Sequence, residues 1–356
     1  MLSITTPAPR WASGRSNLWR PNPSEFGAYA QAVATRYALV VDQYGISNEP
    51  NQGGWLQPQS ARGQMVSPHH YRAMVHAAYP RIKAADPDSL ALIGNLASSG
   101  ANRRGTRTPI RPLTFLRAMS CVDRRYRPVR GGACRGFRPV PGDAVAHHPY
   151  QFFTPPNRQS RNRDDAGFGD GRRLLRVLDS LSRRRRITPP CGRRLSVYYT
   201  EFGYQTNPPD PFAGVSLRRH NRFLQQAAYI VWRTPRLRAL NQFRLTDGSI
   251  RGRGFAAFRE FQSGLMFGNR RAKPAFRSFP HPFVISGSRF WGQVRPGGAH
   301  QVEIQHRAGR GAFRTVRRVR TDASGYFSAR PGRRRGQWRY RYGDGPSGTS
   351  DVLTVR

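Results

Sequence analysis

Lysine is almost missing from this chain: of its 60 basic residues only Lys83 and Lys273 are lysine, and the rest are arginine. Acidic residues are scarce as well, 19 in 356 positions, leaving a formal net charge of +41. So basic a balance points first to nucleic acid. The arrangement does not follow. The arginines run through both halves, with no zinc-finger spacing, RNP-like strand or basic-region heptad. Arginine used nearly to the exclusion of lysine is what a very G/C-rich coding sequence produces. Compositional bias is therefore the expected cause, and no specific nucleic-acid partner is expected. The field still favours anionic glycans and non-specific contact with polyanions.

Long apolar runs are missing too. No stretch of eighteen apolar residues occurs, so no membrane span is expected. The start, Met1-Leu2-Ser3-Ile4-Thr5-Thr6-Pro7, lacks the basic opening and apolar stretch of a signal peptide and reads as a strand already under way. Cysteine is limited to three residues. Cys121 and Cys134 bracket a Gly/Arg-rich loop that a disulfide closes easily, which fits an oxidising compartment. Cys191, beside Pro189-Pro190, is left as a free thiol. No cysteine or histidine spacing suggests a metal site, and no cofactor is expected.

What is present is an alternation of strands and helices. Leu2–Pro7, the run Tyr37 to Ser47, Leu90–Leu96, Ala144–His148, Leu195–Tyr199 and a segment near Ala239–Leu245 read as strands. Between them lie predicted helices over Ser24–Tyr37 with Ser24 as N-cap, Ser67–Ala85, Pro112–Val122, a segment opened by Asp170, and Leu217–Arg233; a last one precedes Pro280. The helix after Asp170 carries Leu174, Leu175, Val177, Leu178 and Leu181 at helical spacing. Strand followed by helix, repeated, means a parallel sheet with right-handed crossovers. Two of the strands end in a glutamate, in Asn48-Glu49-Pro50-Asn51 and in Thr200-Glu201-Phe202-Gly203. Carboxylates at the C-terminal ends of strands in a βα-repeating chain lie where a (β/α)8 barrel places its chemistry. Two that face one cleft suit glycosidic cleavage, one donating a proton and the other attacking the anomeric carbon.

These motifs resemble the glycoside hydrolases of clan A, the retaining (β/α)8 enzymes, in the manner of families 5 and 39. The resemblance runs from about Ser3 to about Pro282. It implies Glu49 as acid/base at the end of the fourth barrel strand, Asn48 on the sugar 2-hydroxyl and Glu201 as nucleophile at the end of the seventh. Ala144-Val145-Ala146-His147-His148-Pro149-Tyr150 falls where the sixth strand ends, with His148 and Tyr150 as candidate substrate contacts. Gln262-Ser263-Gly264-Leu265 and Lys273-Pro274-Ala275-Phe276 are similar to the clan's exit from its eighth strand. Trp55, just past the acid/base loop, and Trp11 are candidates for stacking on a sugar ring. Counted this way, only one strand precedes the one carrying Glu49. The expected fold is therefore an α/β TIM-barrel type lacking its first two βα units, and with them the arginine by which the clan supports its nucleophile.

Beyond Pro282 the pattern changes to short alternating runs separated by Gly, Pro and Asp. The expected organisation is a partial barrel over residues 1–282 and a small all-β sandwich over 283–356. Trp338, Tyr340 and Tyr342 alternate along one run and line either a stacking face or the sandwich interior. The resulting expectation is a retaining β-glycosidase acting on a poly- or oligosaccharide, monomeric, and extracellular as a full-length protein. An inactive carbohydrate-binding remnant and a polyanion binder are the alternatives.

Overall fold

The computed structural model describes residues 1–332, 334–343 and 348–356, apart from the side chain of residue 191. The free thiol expected at Cys191 thus lies outside what is described. The chain divides into two compact units, Met1–Gln151 with Arg158–Phe202 and Thr234–Asn241, and Phe152–Asn157 with Gly203–Arg233 and Gln242–Arg356.

The first unit is built on a sheet of six strands: β1 (Leu2–Ile4), β2 (Gln43–Ile46), β3 (Leu90–Ala97), β4 (Ala144–His148), β5 (Val197–Phe202) and β6 (Leu237–Gln242). They lie side by side in chain order, with β1 and β6 as the edges. Each pair from β1–β2 to β4–β5 is parallel, with Ile4 opposite Ile46, Gly45 opposite Leu92, Ile93 opposite Val145 and His147 opposite Tyr199. The crossovers contain α1 (Pro23–Tyr37), α2 (Ser67–Ala85), α3 (Pro112–Met119) and α4 (Gly171–Arg183); α5 (Leu217–Trp232), between β5 and β6 in the chain, belongs to the second unit. This is the expected βα alternation, six strands of the barrel type.

Local chemistry moves several boundaries. Asn22, not Ser24, caps α1, its Oδ1 accepting from the Ser24 and Glu25 amides at 2.9 and 3.4 Å. Pro23 has no N–H to strand at the first helical position and starts the helix a residue early. Nor does the run from Tyr37 form one strand. The helix continues through Tyr37, whose carbonyl accepts from Val40 and Val41, and Leu39 is fully exposed at 100 %. A short apolar run leaving a helix looks like a strand until its partners are known. Helix α3 stops at Met119, short of Val122, because Cys121 is left-handed at φ 51°. On α4 all five predicted apolar residues are buried. Cys121 and Cys134 are disulfide-bonded, with Cα atoms 5.6 Å apart.

In the second unit, two antiparallel sheets share one core. The first contains β7 (Phe283–Ser286), β8 (Arg289–Gln293) and β11 (Tyr326–Ala329); the second contains β9 (Gln301–Arg307), β10 (Arg314–Arg320), β12 (Gly336–Tyr342) and β13 (Leu353–Val355). Phe283, Phe290, Val302, Ile304, Trp338 and Tyr340 meet between them. Trp338 and Tyr340 are completely buried, so this side of β12 is sandwich interior and not a stacking face. On the opposite side of β8, Trp291 packs on Tyr229 and Trp232 of α5. The same unit holds α6 (Pro274–Ser278) and a buried ion pair, Lys273 Nζ to Asp247 Oδ1 at 2.6 Å.

Candidate active site

Glu49 and Glu201 follow or end β2 and β5, which are separated by two strands, β3 and β4. His148, the last residue of β4, reaches both. Its Nδ1–H donates to Glu49 Oε1 at 3.1 Å, and the same nitrogen lies 3.6 Å from Glu201 Oε2. Tyr150 Oη donates to the other oxygen of Glu201, Oε1, at 2.5 Å. Four of the residues anticipated for the site are thus brought together, Glu49 and Glu201 on the His148 imidazole and Tyr150 on Glu201. The two glutamate side chains keep 19 % and 22 % of their surface exposed while His148 keeps 3 %, so solvent meets the carboxylates and not the ring that holds them.

The backbone beneath the first carboxylate is unusual. Ser47 and Glu49 both have positive φ, 69° and 37°, a region that side-chain-bearing residues rarely occupy and that costs about 1–3 kcal/mol each. The Glu49 amide donates to the Asn95 carbonyl at 2.9 Å, and the Asn95 side chain donates from Nδ2 to the Ser47 carbonyl at 2.5 Å. Pro50 then turns the chain into a loop pinned by Asn51, whose Nδ2 donates to the carbonyls of Ala97 and Ile110 at 3.2 and 3.0 Å.

Electrostatics at Glu201 run against a simple nucleophile. Burial raises its carboxyl above the ordinary value of 4.5, as does the Glu49 charge to a lesser extent; His148 and the Tyr150 hydrogen bond pull it down. Among the described residues no arginine or lysine pairs with Glu201 to reverse the balance. An ionised Glu201 therefore depends on His148 and Tyr150.

The neighbouring histidine has a different task. His147 is 1 % exposed, with Nε2 against the Ala166 carbonyl at 2.6 Å, and burial lowers it to about 4, which keeps it neutral. Successive side chains on a strand point to opposite faces, so only one of the pair can look into the site. Asn48 is half-buried, and among the described residues its side chain makes no hydrogen bond, which leaves it available to a ligand. Trp11 is 75 % exposed on the loop after β1, and half-buried Trp55 accepts from Thr6 Oγ1 through its carbonyl. Among the described residues neither makes a hydrogen bond to Glu49 or Glu201. Asn95 and Thr200 were not anticipated from sequence; the one signal was Gly94-Asn95 interrupting an otherwise apolar strand. Away from this site, ligand atoms of His69, Cys121 and Cys134 lie within 4.8 Å of one another, but the sulfurs are bonded together and offer no thiolate to a metal.

The chain matches no described protein family, and no curated protein matches it in sequence. Among solved structures, the β-glucuronidase of Bacteroides uniformis superposes over 99 % of this chain and 38 % of its own, at 11 % identity and a TM-score of 0.44. A GH5_18 protein of Streptomyces cattleya, solved in complex with GlcNAc, covers 76 % of this chain and 58 % of its own at 17 % identity and a TM-score of 0.45. A β-glucuronidase from Faecalibacterium prausnitzii covers 70 % and 33 % at 15 % identity and 0.39. This chain therefore spans between a third and three fifths of the lengths of these proteins. Similarity this distant assigns neither substrate nor mechanism.

Proposed function

We propose that the chain hydrolyses O-glycosidic bonds in a β-linked oligo- or polysaccharide by double displacement. The observation that carries this reading is the shared imidazole. Two glutamate oxygens that lie 3.1 and 3.6 Å from one nitrogen cannot be farther apart than those two distances laid end to end. That limit falls at the bottom of the roughly 6.5–9.5 Å of inverting glycosidases and accommodates the ~5–5.5 Å of retaining ones.

In this reading Glu201 attacks the anomeric carbon while Glu49 gives its proton to the departing oxygen, breaking the glycosidic bond and leaving a glycosyl ester on Glu201. Glu49, now a carboxylate, takes a proton from water. The resulting oxygen attacks the same carbon and frees Glu201. Tyr150 and His148 hold Glu201 ionised against burial, and Asn48 meets the sugar 2-hydroxyl. The disulfide supports an oxidising, extracellular setting.

Incubation with a 2-fluoroglycoside bearing a good leaving group tests the reading. A stoichiometric mass adduct that maps to Glu201 is expected. No adduct across several sugar configurations, with the chain folded, supports the carbohydrate-binding alternative instead.

A further inference from the structure

We propose that Asn95 is a positioning residue that sets the two glutamates relative to each other, a role that rests on the hydrolase reading above. It lies on β3, between the strands that carry the carboxylates, and is completely buried. The parallel register between β3 and β4 slips there, Gly94 pairing with Ala146 and Leu96 with His147, so Asn95 is the extra residue of a bulge. Its φ of 46° is left-handed, which asparagine tolerates better than most residues.

The bulge turns the side-chain nitrogen, the side-chain oxygen and the backbone carbonyl of Asn95 towards the two catalytic strand ends. Its carbonyl accepts the Glu49 amide at 2.9 Å, and its Nδ2 donates to the Ser47 carbonyl at 2.5 Å. Its Oδ1 accepts from Thr200 Oγ1 at 3.4 Å, and Thr200 is the residue before Glu201. One residue thereby touches both left-handed corners of the Glu49 turn, the Ser47 corner by its side chain and the Glu49 corner by its backbone carbonyl, and its side chain also reaches the strand of Glu201. Room for it is reserved by sequence: a Cβ at Gly45 would lie 2.5 Å from Asn95 Nδ2. The bulge is itself anchored from the helix side by fully buried Tyr71, which accepts from the Gly94 amide at 2.6 Å and donates to the Ile46 carbonyl at 3.0 Å. A buried asparagine with its amide nitrogen, amide oxygen and backbone carbonyl all spent on these two strand ends is more than packing requires. Its geometry couples the acid/base turn to the nucleophile strand without touching substrate.

Asn95→Gly keeps the left-handed backbone and the carbonyl bond to Glu49 while deleting the side-chain bridge. It is to be compared with the parent chain by steady-state hydrolysis of an aryl glycoside and by carbon NMR titration of the Glu201 carboxyl, assigned with Glu201→Gln. The expected result is a folded variant whose kcat falls ~10- to 100-fold at nearly unchanged KM. Its Glu201 midpoint should move further up as His148 loses its hold. A folded Asn95→Gly with kcat and midpoint both unmoved overturns the proposal. If the parent hydrolyses nothing, the hydrolase reading falls, and the NMR titration alone decides whether Asn95 ties the two carboxylates together. Should Asn95→Gly fail to fold, Thr200→Val removes only the second half of the bridge and is expected to lower kcat roughly 3- to 10-fold, with Thr200→Ser restoring it. A folded Thr200→Val identical to Thr200→Ser in both readouts overturns the proposal in that case.

Discussion

Tyr150 Oη donates to Glu201 Oε1 at 2.5 Å, while His148 faces the opposite oxygen of the same carboxylate. The hydroxyl and the imidazole are what oppose burial at Glu201. Tyr150→Phe deletes one of them. A hydrogen bond to a charged group contributes about 1.5–3 kcal/mol, so kcat/KM is expected to fall roughly 10- to 150-fold. The acid limb of its pH profile should move to higher pH. A profile that drops in height without moving assigns Tyr150 to substrate binding alone.

The same burial has a consequence for stability. Glu201 has a folded-state value above 4.5, so the folded chain holds that proton more tightly than the unfolded chain. Stability is then unaffected below the unfolded value and declines as pH rises from there through the folded one. Glu201→Gln removes this loss. The variant is expected to be inactive yet to melt higher than the parent at pH 7, with the difference closing as pH drops below 4.5. Calorimetry across that range checks the sign.

In the second unit, Lys273 spends its ammonium on Asp247 Oδ1 at 2.6 Å, Thr206 Oγ1 at 2.8 Å and the Gln262 carbonyl at 3.2 Å, with no side-chain surface exposed. Lys273→Met leaves Asp247 buried without its cation, and removing one partner of such a pair costs about 3–5 kcal/mol. Adding Asp247→Leu should recover most of the loss, because the remaining buried charge is then gone. Urea denaturation of the single and double variants distinguishes a lost partner from lost packing.

The Cys121–Cys134 bond closes a loop with a sequence separation of 13. Cross-links of that span stabilise by about 3 kcal/mol. Cys121→Ser with Cys134→Ser, or reduction of the parent, is expected to lower Tm by several degrees and to leave KM unchanged, since neither cysteine touches the carboxylates. A shift in KM on reduction would tie the loop to the substrate cleft.

Much of the architecture was legible because it is local. Apolar residues at helical spacing on α4 bury wherever that helix lies, and a strand that runs into Asn-Glu-Pro or Thr-Glu-Phe-Gly places its glutamate at a C-terminal end. The Gly/Pro-punctuated runs after Pro282 pair as strands for the same reason. Sequence singled out His148 as a site candidate but not its partners: the facing of β4 sends its ring to the carboxylates and that of His147 to the Ala166 carbonyl. It could not place the start of β2 either: Tyr37 to Val41 is apolar in either state, and the exposure of Leu39 appears only once the chain has folded. Asn95 was hidden for a further reason. A bulge is a mismatch between two strands, so the register of β3 against β4 creates it, and no single segment records it. Residue type and period fixed which carboxylates end strands. The pairing of strands far apart in the chain decided which polar groups those carboxylates meet, because contacts between distant segments exist only after the sheet has formed.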